Sequence, residues 1–62
     1  MYEGFAADCK REMYIRKISN GDLAEMTGYK RSTIDAFFSD TALRSKSENV
    51  AKAISKALNI EL

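Results

Sequence analysis

The sequence predicts an all-α fold, a bundle of four to five helices built around a central helix, tight turn and helix. Three observations carry that prediction. Ser19 and Asp22 stand three apart as the two halves of a capping box, and Gly28 breaks the chain one short helix later. On either side of this unit, apolar residues recur at the three- and four-residue spacings of amphipathic helices.

Tyr2 to Lys17 contains no proline, and Phe5, Cys9 and Met13 recur at i, i+4 and i+8 with Ala6 beside them. That is one apolar stripe of a first helix, and Asp8, Lys10, Arg11 and Glu12 fall largely on its other side. Tyr14, Ile15 and Ile18 broaden the stripe near the end. A cysteine on such a face reads as a small buried hydrophobe rather than a redox centre, and Met13 and Met26 read as core filler.

The second helix runs from about Asn20 to Thr27, with Ser19 as N-cap and Ile18 and Leu23 placed as a hydrophobic staple. Eight residues are marginal alone, so Leu23, Ala24 and Met26 must hold it by packing. Gly28 ends it, because glycine adopts the left-handed conformation that turns a chain sharply without steric cost. The third helix, Arg31 to Ser39, turns Ile34, Phe37 and Phe38 inward and leaves Arg31, Ser32, Asp35, Ala36 and Ser39 outward. Lys30 is a poor capping residue, so the first N–H groups of this helix stay open to water or an anion.

Asp40 to Lys46 reads as a loop carrying two cations, Arg44 and Lys46. A last helix follows, with Ser45 and Glu48 as a second capping box and Val50, Ala51, Ile54, Ala57 and Leu58 as its stripe. Lys52 and Lys56 read as solvated surface. Asn59, tolerant of the left-handed conformation, marks the end, and Ile60 and Leu62 close the core or meet a second subunit.

From Ser19 to Leu62 the chain resembles the helix-turn-helix domains of the lambda-repressor and Cro type. Ala24 stands where that motif takes a small residue between its helices, Gly28 stands at its turn four residues later, and Leu23, Ile34 and Phe37 fill buried apolar places. Thr27 replaces a usual apolar residue and Tyr29 a smaller aliphatic one. Lys30-Arg31-Ser32-Thr33-Ile34 looks like the start of the recognition helix. The resemblance implies a double-stranded DNA partner, with Asn20 reaching a phosphate and bracing the recognition helix, and with the segment carrying Arg44 and Lys46 running along the backbone.

Residue chemistry on the outward face fits that implication. Ala36 suits a thymine methyl, Ser32 a base edge, and Arg31 a guanine edge or a phosphate. Lys30 suits a phosphate. Asp35 repels phosphates unless it accepts from a cytosine amino group or pairs with Arg31 one turn earlier. The expected interface is therefore Asn20, Lys30, Arg31, Ser32, Thr33, Asp35, Ala36, Ser39, Arg44 and Lys46.

Composition limits the alternatives. The 62 residues form one domain, near the size at which a single core barely outweighs chain entropy, so a homodimer is a physical expectation. Ten Lys and Arg against nine Asp and Glu give a net charge of +1, so a nucleic-acid partner must be argued from where the charges lie. With no histidine and one cysteine there is no ordinary zinc site, no internal disulfide and no Ser/His or Cys/His catalytic arrangement. No cofactor, metal or membrane partner is expected, nor a signal peptide, which makes the cytoplasm the expected location. The expected function is a small Cro-like transcriptional repressor of phage or mobile-element type, without room for an effector domain. The alternatives are an interaction module on the same fold, such as an antirepressor or adaptor, and an accessory factor in excision or recombination. Nothing supports an enzyme.

Overall fold

The computed structural model describes residues 2–62. Among these residues there are five helices and no strand: α1 (Glu3–Arg16), α2 (Asn20–Thr27), α3 (Arg31–Ser39), α4 (Thr41–Ser45) and α5 (Glu48–Leu58). Four lie within a residue or three of their expected places. The fifth, α4, occupies what reads in sequence as a loop.

The stripe of α1 is buried as expected, with Phe5, Ala6, Cys9 and Met13 all in the core. Tyr14 and Ile15 do not extend it and lie exposed, while Ile18 is half-buried against the core. Cys9 is fully buried, and loss of water around it, with a smaller contribution from Asp8, pushes its thiol up to about 12. At neutral pH it remains a thiol and acts as a small apolar side chain. Leu23, Ile34, Phe37, Ile54 and Leu58 complete the fully shielded centre, so every helix except α4 sends a large apolar group into one core. The Phe5 ring meets Phe37 edge to face at 6.3 Å, tying α1 to α3. Met26 is 48% exposed and not core filler, and Phe38 is half-buried rather than buried.

Helix ends fix the angles between these elements. α1 stops at Lys17, a left-handed residue with φ 57°, and Ile18 N–H donates back to the Met13 carbonyl at 2.8 Å. α2 starts on the expected capping box, in which Ser19 Oγ accepts from Asp22 N–H at 3.0 Å and Asp22 Oδ2 accepts from Ser19 N–H at 3.0 Å. The Ser19 N–H, and to a lesser degree the Ser19 hydroxyl, hold the Asp22 carboxyl below the usual carboxylate range. Gly28 ends α2 at φ 79°, with its N–H on the Ala24 carbonyl at 2.9 Å. Thr27 fits a place that favours apolar residues because its hydroxyl donates to the Leu23 carbonyl at 2.9 Å and so carries no unmet polarity.

The second expected capping box does not form. Asp40 caps α4 instead, its Oδ1 accepting from Leu43 N–H at 3.1 Å, and this makes Ser45 the last residue of α4. α5 begins behind Ser47, whose hydroxyl donates to the Leu43 carbonyl at 2.6 Å, and it has no side-chain cap. Glu48 pairs loosely with Lys52 at 3.7 Å.

Candidate nucleic-acid interface

The capping box at Ser19 sets the first turn of α2 and with it the place of Asn20. Gly28 then turns the chain so that α3 packs across α2, with Ile34 and Phe37 inward. What remains outward on α3 is short: Ser32 and Ser39 exposed, Thr33, Asp35 and Ala36 half-buried, and Arg31 as the one long exposed side chain. A helix trimmed in this way can approach the floor of a groove about 12 Å wide without its own side chains holding it off.

Asn20 bridges two helices. Its Nδ2 donates to Asp35 Oδ1 at 2.8 Å, and its Oδ1 accepts from Lys10 Nζ of α1 at 3.0 Å. Asp35 also faces Arg31, Nε to Oδ2 at 3.8 Å. At that length, with the Arg31 side chain well exposed and the Asp35 carboxylate only half-shielded, the ion pair contributes little stability, and the Asn20 bond is what holds the carboxylate. Asp35 on the outward face is thus explained by bracing: it fixes α3 to the start of α2. The Lys10 ammonium also lies 4.9 Å from the centre of the Phe38 ring. The sequence marks Lys10 only as a polar position on α1, because both its contacts come from residues ten or more positions away.

Lys30 is the N-cap of α3, exposed and without a side-chain capping bond. The first turn of α3 therefore offers unsatisfied N–H groups beside a cation. Ser39 Oγ donates to the Asp35 carbonyl at 2.8 Å, which leaves its oxygen as an acceptor. Lys46 ends α4, exposed, and shares a shallow cleft with Tyr29, so the turn before α3 and the turn after α4 lie on one surface.

Arg44 is not part of that surface. Only 8% exposed, it donates from Nε to the Phe37 carbonyl at 2.7 Å and from Nη2 to the Phe38 carbonyl at 2.6 Å, with its guanidinium 6.0 Å from the Phe37 ring. Those carbonyls belong to the last turn of α3, where the helix leaves acceptors unpaired and carries partial negative charge. The expectation of a phosphate contact at Arg44 is corrected accordingly: it closes the end of α3. Folding of Thr41–Ser45 into a helical turn is what points its side chain inward.

A small residue and a glycine turn between two short helices, a buried inner face and a free outer face on the second: this geometry has a counterpart among known families. A family model described as helix-turn-helix matches residues 10–62. The chain belongs to that family. It is a helix-turn-helix protein of the lambda-repressor and Cro type, a family of DNA-binding transcription regulators, and its partner class is double-stranded DNA. No curated protein and no solved structure matches the chain. Among the described residues, this helix-turn-helix protein has no cluster of His, Cys, Asp or Glu suited to a metal ion, and no helix long and apolar enough to cross a membrane.

Proposed function

We propose that the protein is a sequence-specific repressor, Cro-like in scale and of phage or mobile-element type, that inserts α3 into the major groove and occludes a promoter or operator. Arg31, Ser32 and Ala36 read base edges, with Asp35 orienting Arg31, while Asn20, Lys30 and Lys46 hold phosphates and Thr33 and Ser39 flank the contact. The observation that carries this reading is the outward face of α3: short side chains around one long exposed arginine, on a helix whose inner face is fixed by Ile34 and Phe37.

Selection of bound duplexes from a random pool tests it. Enrichment of one sequence is the expected result, and a palindrome with half-sites about 34–36 Å apart would also establish that two copies bind together. Neutralisation of DNA phosphates by Lys30 and Lys46 gives a slope of log affinity against log salt of about −2 per subunit. No enrichment and no salt dependence would overturn the reading and favour a protein-interaction module on the same fold.

A further inference from the structure

The contacts of Lys10 extend the interface beyond the two-helix motif. Lysine can only donate hydrogen bonds and an ionised carboxylate can only accept them, so the Asn20 amide between Lys10 and Asp35 has one satisfactory orientation: oxygen toward Lys10, nitrogen toward Asp35. Lys10 and Asp35 together set which way the Asn20 side chain faces. On the same helix Arg11 and Arg16 pair with Asp8 and Glu12, at 3.4 Å and 2.9 Å, whereas the ammonium of Lys10 meets a neutral amide and the face of the Phe38 ring. Neither partner cancels its charge. Two of its three N–H donors remain free of Asn20, and the second Nδ2 hydrogen of Asn20 is also free of Asp35.

From these contacts we infer that Lys10 and Asn20 together form a phosphate clamp at the edge of the reading face, and that Lys10 positions Asp35, and through it Arg31, by fixing the Asn20 amide. The inference rests on the DNA-binding reading above. It makes Lys10 both a phosphate contact and a positioning residue, supplied by a helix that lies outside the turn and the recognition helix. The cation is ordered before DNA arrives, which lowers the entropy lost when it is held against a phosphate.

The test compares a duplex carrying the selected sequence with a scrambled duplex of the same composition, each over a salt series. Lys10→Gln removes the charge but retains an amide donor for Asn20. Its salt slope should become shallower by about 0.9, which is about eightfold weaker binding to both duplexes at 0.1 M salt, with the ratio between them unchanged. Lys10→Met removes charge and donor together, so its slope should change equally and the ratio should fall as well. Thermal unfolding of both variants reports on the fold, and Lys10→Gln carries the slope test if Lys10→Met does not fold. If the Lys10 variants keep the unsubstituted slope while Lys46→Gln loses about 0.9, Lys10 is purely structural: the clamp is overturned and the DNA reading survives. An unchanged ratio in Lys10→Met overturns the positioning role. Failure of the unsubstituted protein to bind duplex in any salt overturns the DNA reading and this inference with it.

Discussion

Two arginines serve the two ends of α3, and they are held in opposite ways. At its start Arg31 is exposed, with one long contact to Asp35 at 3.8 Å, while beyond its end Arg44 is buried and donates twice at 2.6–2.7 Å to α3 carbonyls. The same guanidinium fork is left exposed in one place, where we propose that it reads a base edge, and caps a helix in the other. The difference lies in what each end of a helix lacks. The start presents N–H groups, which no arginine can satisfy, so Arg31 stays available to a ligand. The end presents carbonyls, which an arginine satisfies better than water can inside a small core.

The largest expected effect would break this contrast if it failed. Arg44→Met should orphan the Phe37 and Phe38 carbonyls and cost about 2–4 kcal/mol, close to the whole stability of a domain this size. Chemical denaturation should show a much lower midpoint, with Arg44→Lys intermediate because an ammonium lacks the planar fork. A folded Arg44→Met protein that lost affinity for all DNA sequences alike would mean that Arg44 is a phosphate contact after all.

Arg31→Ala should do the reverse. Stability should move by no more than about 0.5 kcal/mol, as is usual for an exposed side chain without a strong partner. Binding to the preferred duplex should weaken by about 1–3 kcal/mol, with specificity relaxed at one base pair. Equal weakening on every sequence would reassign Arg31 to the backbone.

How far each end of α3 was legible in the sequence follows from the range of the interactions there. Ser19 and Asp22, Gly28, and the inward pair Ile34 and Phe37 act over three or four residues, so their spacing predicts them. Arg44 reaches six and seven residues back to carbonyls that have no sequence signature, and the Asn20–Asp35 bond spans fifteen positions. The false capping box at Ser45 shows the same limit. Spacing allowed both Ser45-Glu48 and a helix start at Asp40; formation of α4 behind Asp40 placed Ser45 inside a helix, where it could no longer cap the next one. An aspartate directly before Thr41-Ala42-Leu43 was the available signal for α4.

Gly28 sharpens the contrast by separating the position of α3 from its stability. A Cβ added at residue 28 would meet nothing within 4 Å, so the cost of Gly28→Ala comes from the left-handed backbone alone. That cost should be about 1 kcal/mol, measured as a fall in denaturation midpoint. Because nothing is displaced, the folded fraction should bind DNA with unchanged specificity. A changed specificity would show that the turn tunes the pose of Arg31 as well as allowing it.

The smallest effect concerns the start of α2, the element that carries Asn20. The Asp22 carboxyl is depressed by its bonds to Ser19, so it favours the folded state above its unfolded pKa, and the contribution disappears as pH falls through the lower, folded value. In Asp22→Asn an amide oxygen can still accept from Ser19 N–H, but no charge is there to titrate. Stability of the unsubstituted protein should therefore decline more steeply below the ordinary aspartate range than that of the variant. Parallel decline in the two proteins would place the acid sensitivity elsewhere, and would leave Asn20 resting on a helix start that protonation does not loosen.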